Sequence, residues 1–143
     1  MSFLLDTNVL SEWIKPLPDP GLIAWLGDVD EDRVFISAIT LAELSHGVER
    51  LAQGQRRSRL EAWLREDLPL RFEGRILPVD EAVARTWGAI TARRAAIGRP
   101  IGAMDGFIAA TAEIHDLALV TRNVPDFEAS ARTLLNPWTG KSK

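Results

Sequence analysis

The fold is decided by Phe3-Leu4-Leu5-Asp6, a short apolar run that ends in an acid. Runs of the same kind recur at residues 33–37, 75–79, 117–121 and 132–136, the last being the least apolar. All five runs are short and are bounded by charged or turn-forming residues, which is typical of buried central strands. The sequence therefore predicts five strands.

Between these runs, apolar residues recur at the three- and four-residue spacing of a helix. Strands that alternate with helices favour parallel pairing through crossovers. We therefore predict an α/β fold, a three-layer domain whose central, mostly parallel sheet of about five strands is flanked by helices. The apolar faces of the predicted helices are marked by Leu41, Leu44, Val48 and Leu51; by Leu60, Trp63, Leu64 and Leu68; by Val83, Trp87, Ile90 and Ile97; and by Met104, Ile108, Thr111 and Ala112.

The pattern shows no internal repeat and no linker, so we expect one domain over residues 1–143, with 139–143 as a frayed tail. The polar stretch 53–59 is interpreted as a connection between two helices. Residues 98–100 contain a glycine and a proline that should end the third predicted helix. The five tryptophans fall in amphipathic segments and are expected to be core or interface residues.

Composition limits the chemistry. The chain of 143 residues has no cysteine and two histidines, so thiolate sites and imidazole-rich zinc sites are disfavoured. A bound metal would need oxygen ligands, which favours Mg²⁺ or Mn²⁺. The net charge of −3 excludes a uniformly basic nucleic-acid binder. The first residues resemble neither a signal peptide nor a membrane span, so we expect no membrane partner and a cytoplasmic location.

Four acids follow or interrupt the apolar segments: Asp6, Glu43, Asp105 and Asp126. Asp6 ends the first predicted strand, and Asp126 follows the fourth. Glu43 and Asp105 should lie in or near the first turn of a helix. Because ligands of open α/β sheets bind beyond the carboxyl ends of the strands, we expect the four carboxylates to share one crevice.

Each acid also has a structural explanation. Asp6 could be a helix N-cap. Glu43 could close a capping box with Thr40. Asp105 could simply favour the positive end of a helix dipole, and Asp126 could cap residues 127–131. A binding module whose acids only cap helices therefore remains an alternative.

Taken together, the acids indicate a metal. Two carboxylates about 4 Å apart repel by roughly 1 to 4 kcal/mol between water-like and surface-like dielectric values. A cation removes that cost, and Mg²⁺ accepts one or two carboxylates together with water and phosphate oxygens. A metal-bound water and a neighbouring carboxylate are the components needed to hydrolyse a phosphodiester.

Four ordered motifs carry a family resemblance. Residues 4–8 (LLDTN), 37–44 (SAITLAEL), 104–112 (MDGFIAATA) and 120–127 (VTRNVPDF) resemble the motifs of PIN-domain ribonucleases of the VapC and FitB type, which are toxins of bacterial toxin–antitoxin pairs. The similarity extends over residues 3–138. It implies a metal-dependent endoribonuclease that acts on RNA, forms a homodimer and is inhibited by a cognate VapB-like antitoxin.

The resemblance also implies roles for residues. Asp6, Glu43 and Asp105 match the acids of the family, and Asp6 and Asp105 would be the direct ligands of Mg²⁺ or Mn²⁺. The fourth catalytic position would be Asp126, with Asn123 as the alternative. The supporting polar residues would be Thr7, Thr121 and Asn123, of which the two threonines would hydrogen-bond the acids or the hydrolytic water.

Several arginines surround the predicted crevice. Arg99 and Arg122 flank it and are predicted to contact RNA phosphates. Arg93 and Arg94 are open to two interpretations, as solvated helix ends or as further contacts to RNA phosphates. Residues 56–59 (RRSR) lie far from the motifs and are interpreted as a solvated connection.

One alternative enzyme has a similar strand motif. Residues 3–10 resemble the nucleophile motif of haloacid-dehalogenase phosphatases. That motif requires a second aspartate where Asn8 stands, and the mechanism requires a lysine after a middle strand, which this chain lacks. The phosphatase is therefore the weaker interpretation.

Overall fold

A computed structural model describes residues 1–138, so the predicted tail at 139–143 lies outside the described residues. The predicted alternation of strands and helices is present. In chain order the elements are β1 (Phe3–Leu5), α1 (Thr7–Trp13), α2 (Pro20–Asp28), β2 (Val34–Ser37), α3 (Ala38–Glu49), α4 (Gln55–Ala62), α5 (Leu68–Arg71), β3 (Ile76–Leu77), α6 (Glu81–Ala96), α7 (Ala103–Ile114), β4 (Ala118–Val120), α8 (Val124–Phe127) and β5 (Leu134–Leu135). A 3₁₀ turn covers Glu31–Arg33, and a π-helical turn, Trp63–Asp67, joins α4 to α5.

The five strands form one sheet in the order β3-β2-β1-β4-β5, and all the pairings are parallel. Strand β1 lies at the centre, with Leu4 opposite Phe35 on one side and Leu119 on the other. Pairing continues one residue beyond the strand, because the Asp6 backbone N–H donates to the Val120 carbonyl at 2.9 Å. The predicted α/β architecture is confirmed.

Successive side chains of a strand point to opposite faces of a sheet, and β1 shows why the domain has three layers. Leu4 packs into a core with α6 and α7, whereas Leu5 packs into a second core with α1, α2 and α3. Both side chains are fully buried, which contributes about 1.5 to 3 kcal/mol each. All five tryptophans pack against these two cores, as expected. Within residues 1–138 no helix has the length and apolar character needed to cross a membrane.

The prediction of a connection over 53–59 is wrong, since residues 55–59 belong to α4. The segment is charged, yet Arg57 holds it in place through ion pairs with Glu49 at 3.0 Å and Glu61 at 3.3 Å. The second pair has the i,i+4 spacing that supports a helix. Helices α1 and α2 were also not predicted. Helix α6 ends as expected near Gly98, which has a φ of +72°.

Arg94 is the clearest departure from expectation. Its neighbour Arg93 is exposed, but Arg94 is only 3% exposed and is therefore not a solvated helix end. Its guanidinium donates to the Arg99 carbonyl at 2.7 Å, the Asp126 carbonyl at 3.0 Å and the Ser130 hydroxyl at 2.8 Å. Arg94 thus fastens α6 to the segment that contains α8.

Gly106 allows α6 and α7 to approach closely. A Cβ atom at this position would lie 2.8 Å from Trp87 Nε1, which donates a hydrogen bond to the Ala103 carbonyl at 3.0 Å. We expect Gly106→Ala to lower the free energy of unfolding by about 1 to 3 kcal/mol, because overpacking a close contact costs that amount. Chemical denaturation measures the change.

Gly88→Ala is the matched control for this substitution. Gly88 lies inside α6, and a Cβ atom there would have no neighbour within 4 Å. Replacing it should stabilise the helix by about 0.5 to 1 kcal/mol. Equal effects of the two substitutions would contradict the close approach at Gly106.

Candidate active site

The carboxyl ends of β1 and β4 open into a cleft of about 300 Å³. Three of the four predicted acids line it, together with Asn123 from the turn after β4, so the expected convergence is present for these residues. The remaining wall comes mostly from α1. The lining residues are Asp6, Thr7, Asn8, Ser11, Glu12, Lys15, Glu43, Asp105, Arg122 and Asn123.

Asp6 is held by hydrogen bonds on both carboxylate oxygens. Oδ1 accepts from the Thr7 backbone N–H at 2.8 Å, so Asp6 is the N-cap of α1. Oδ2 accepts from the Thr121 hydroxyl at 2.8 Å and from the Asn8 amide at 3.3 Å. Asp6 is therefore both the N-cap of α1 and a residue of the cleft wall.

Glu43 reaches the cleft from the second turn of α3, not from the first. Helix α3 begins at Ala38, and its N-cap is Ser37, whose hydroxyl accepts from the Ile39 N–H at 3.0 Å. The alternative explanation of Glu43 as the partner of Thr40 in a capping box is therefore wrong. Glu43 instead accepts a hydrogen bond of 2.5 Å from the Thr7 hydroxyl, which fixes the carboxylate to the start of α1.

Asp105 is the third residue of α7 and lies in its first turn, as expected. Asp126 is exposed and is not among the residues that line the cleft. It is the third residue of α8, so it does not cap residues 127–131 as one alternative had it. Asn123 does line the cleft, and its backbone N–H donates to the Thr121 hydroxyl at 3.0 Å.

The carboxylates influence one another electrostatically. The pKa of Asp6 is raised from 3.8 to about 6, mainly by burial and to a smaller extent by the charges of Asp105 and Glu43, against the opposing hydrogen bonds from Thr121 and Thr7. Burial also raises the pKa of Asp105, with added contributions from Glu43 and Asp126. The four acids therefore interact, although Asp126 lies outside the cleft wall.

The raised pKa of Asp6 predicts a pH-dependent stability of the metal-free protein. Between pH 3.8 and about 6 the folded state retains a proton that the unfolded state releases, so stability falls as pH rises through this window. Because one pH unit corresponds to about 1.4 kcal/mol, the expected loss is about 3 kcal/mol. Denaturation in EDTA at a series of pH values measures it.

Asp6→Asn isolates this contribution, since the amide cannot titrate. The difference in unfolding free energy between wild type and variant should change across pH 4 to 6 and be constant above it. A difference that is the same at every pH would show that Asp6 has an ordinary pKa.

Of the two arginines expected to contact RNA, only Arg122 lines the cleft. Its guanidinium lies over the Trp138 ring, 5.4 Å from the ring centroid. Arg99 is exposed outside the cleft wall, and its Nη2 lies 3.5 Å from the Pro125 carbonyl oxygen.

Four further residues of the wall have no role in the sequence analysis: Asn8, Ser11 and Glu12 of α1, and Lys15 just beyond the end of that helix. The spacing of Asn8, Ser11 and Glu12 places these three residues on one face of α1, a signal that prediction of this helix would have provided. Asn8 bridges several parts of the site. Its amide lies 3.3 Å from Thr121 Oγ1, and its carbonyl oxygen accepts from the Arg122 N–H at 3.3 Å.

The cleft suits a hard divalent cation. The acidic groups that could bind a metal there are carboxylates, which offer oxygen ligands. Both histidines are exposed and do not line the cleft. In the part of the chain that the structure describes, no group of three or more His, Asp or Glu side chains is arranged to hold a metal by itself. Mg²⁺ needs no such group, since it commonly takes one or two carboxylates and retains several waters. The buried Asp6 and the half-buried, like-charged Asp105 fit that requirement.

Comparisons with known proteins agree with this geometry. A model of the PIN domain matches residues 3–129. The chain is 42% identical to Toxin FitB of Neisseria gonorrhoeae over 94% of its length and 97% of the relative's. It is 37% identical to VapC ribonuclease Y4jK of Sinorhizobium fredii, covering 94% and 96% of the two chains.

The fold agrees as well. The crystal structure of FitAcB from Neisseria gonorrhoeae matches with a TM-score of 0.89 and 42% identity, covering 95% of this chain and 98% of the other. These matches select the PIN fold over that of the haloacid-dehalogenase phosphatases. A strand-end cleft lined by Asp6, Glu43 and Asp105, together with a family match over most of the sequence, shows that this chain belongs to the PIN-domain family.

Proposed function

We propose that this protein is a metal-dependent endoribonuclease that hydrolyses RNA phosphodiester bonds. The observation that carries the proposal is the buried Asp6 carboxylate, which shares a cleft with Asp105 and Glu43. Burying this carboxylate beside two other acids destabilises the metal-free protein. A bound divalent cation would offset that cost. The name of the relative Y4jK, a VapC ribonuclease, supports RNA as the substrate.

Asp6 and Asp105 would hold the metal, which we propose to be Mg²⁺, with Mn²⁺ as a substitute. When bound, such an ion lowers the pKa of a coordinated water and offsets the charge that develops on the phosphoryl oxygens. Thr121 keeps the Asp6 carboxylate in place through its buried hydrogen bond of 2.8 Å. The Asp6 carboxylate is thus held in place before an ion binds.

Glu43 would orient the attacking water and accept its proton. Its carboxylate has one oxygen fixed by the Thr7 hydroxyl, which leaves the other free to face the cleft. Asn123 would contact the substrate or a water from the opposite wall. Asp126 would act from outside the wall, through its charge on Asp105 or through a water. Arg122 would bind a phosphate next to the scissile bond, and Arg99 would bind one farther along the RNA.

We also propose that the protein is the toxin of a toxin–antitoxin pair, inhibited by a cognate VapB-like antitoxin and assembled as a homodimer. Its relative FitB is named as a toxin, and the matched crystal structure is of FitAcB. Co-expression with the neighbouring reading frame, followed by co-purification and an assay of inhibition, tests the partner.

The activity itself predicts a simple result. Purified protein should cleave total RNA in the presence of Mg²⁺, and EDTA should abolish the cleavage, because the metal that Asp6 and Asp105 would hold supplies the activated water and the charge that offsets the phosphoryl oxygens. Addition of Mg²⁺ or Mn²⁺ after EDTA should restore it, whereas Ca²⁺ should restore less because it prefers more ligands at longer distances. Cleavage that persists in EDTA would refute a metal-dependent mechanism.

A further inference from the structure

A second and larger cleft, of about 810 Å³, adjoins the acidic one. The two clefts share Thr7, Ser11, Lys15 and Glu43, so they are parts of one continuous depression. The second part runs between α1, α3 and α4. Whatever binds at the acids can therefore continue into it without leaving the surface.

Two arginines on α4 give this second cleft a positive wall. Arg56 and Arg59 line it and are exposed. Neither guanidinium makes a hydrogen bond or an ion pair with any of residues 1–138, unlike Arg57 between them, which pairs with Glu49 and Glu61. Residues 56–59 are therefore not simply a solvated connection, because α4 places Arg56 and Arg59 in the wall of the second cleft.

The rest of the second cleft is apolar. Leu51, Leu60 and the half-buried Trp63 contribute to its wall and floor. Single-stranded nucleic acid needs this combination of cations for the phosphates and apolar or aromatic surface for unstacked bases. An A-form duplex hides its base faces and could not use such a surface.

We propose that the cleft between α1, α3 and α4 binds one arm of a single-stranded RNA substrate, with Arg56 and Arg59 contacting phosphates next to the cleavage point. The inference rests on the proposed ribonuclease function and adds a binding surface to it. Lys15 lies where the two clefts meet, and its ion pair with Glu12 at 2.9 Å holds it there.

The test is a double substitution, Arg56→Gln with Arg59→Gln, compared with Arg50→Gln with Arg65→Gln. The control removes the same charge from exposed arginines of the same region that do not line the cleft. The probe is a short fluorescent single-stranded RNA of mixed sequence, with the annealed duplex for comparison. Binding is measured over a range of salt concentrations, and cleavage is measured with Mg²⁺.

The cleft variant should bind the single strand about tenfold more weakly, and the slope of log K against log salt should fall by about 1.4, because two phosphate contacts are lost. KM should rise while kcat stays near that of wild type, and the duplex should bind more weakly than the single strand. The control variant should behave as wild type in every assay.

Failure of the inference and failure of the proposed function give different results. If wild type cleaves RNA but the two double variants bind equally well, the RNA arm does not lie on Arg56 and Arg59, and the cleft serves another partner such as a protein segment. Tighter binding of the duplex would also overturn the inference. If wild type cleaves no RNA with Mg²⁺, the ribonuclease proposal itself fails.

Discussion

Asp6→Asn should reduce RNA cleavage about a thousandfold or more while leaving the fold intact. The amide retains one acceptor oxygen for the cap of α1 but loses the charge that would hold the metal. Charge stabilisation by a bound ion is worth several kcal/mol in the transition state, and each 1.4 kcal/mol is a factor of ten in rate. Single-turnover cleavage of a mapped RNA measures the loss.

The same substitution should stabilise the metal-free protein at neutral pH. Wild type carries a buried carboxylate whose pKa is raised to about 6, and the neutral amide removes its cost. The hydrogen bond from Thr121 must rearrange, so we expect a net gain of about 1 to 2 kcal/mol in unfolding free energy. Added Mg²⁺ should stabilise wild type but not the variant, since only wild type binds the ion well.

Asp28→Asn is the control, because Asp28 is an exposed residue at the end of α2 outside the cleft and the substitution removes the same charge. It should leave cleavage and stability within experimental error of wild type. Undiminished cleavage by the Asp6→Asn protein would show that Asp6 is not a metal ligand. Loss of cleavage accompanied by unfolding would show only that Asp6 caps α1.

Arg94→Met should produce the largest loss of stability, about 3 to 5 kcal/mol. The substitution keeps the length and apolar part of the side chain but removes the three hydrogen bonds to Arg99, Asp126 and Ser130. Each bond from a charged donor contributes about 1.5 to 3 kcal/mol, and the acceptors are left without it. Urea denaturation monitored by tryptophan fluorescence measures the change.

Arg93→Met is the matched control, because Arg93 precedes Arg94 on the same helix and is exposed. It should change the unfolding free energy by less than about 0.5 kcal/mol. Similar losses in both variants would show that Arg94 has no special role. If the activity of the Arg94→Met protein falls by more than its folded fraction does, the contact of Arg94 with the segment around α8 also positions Asp126.

The parts of the fold that depend on local pattern were predictable. Residues 3–5 and 118–120 are apolar runs ended by polar residues, so their strands and the acids at their ends could be identified from spacing alone. The parallel pairing of the strands follows from the helices that lie between them in the sequence. Asp6 and Asp105 lie where that reasoning predicted, at the end of β1 and in the first turn of α7.

What could not be predicted depends on contacts between distant segments. Arg94 looks like any cation near the end of a helix, and its burial is decided by a segment that begins some thirty residues later. The start of α3 could not be fixed because Thr40 and Ser37 are both good caps, and only the length of β2 decides between them. The role of Arg56 and Arg59 depends on how α4 lies against α1, which no local pattern reveals.

The central position of β1 has a consequence for synthesis. Its first partner along the chain is β2, but its other neighbour, β4, emerges from the ribosome more than a hundred residues later. Thr121, which steadies Asp6, follows β4, and so does the arginine-fastened segment around α8. A growing polypeptide that already contains Asp6, Glu43 and Asp105 but not yet β4 therefore lacks an assembled site. The proposed nuclease centre can therefore not form until β4 and the segment after it have been synthesised.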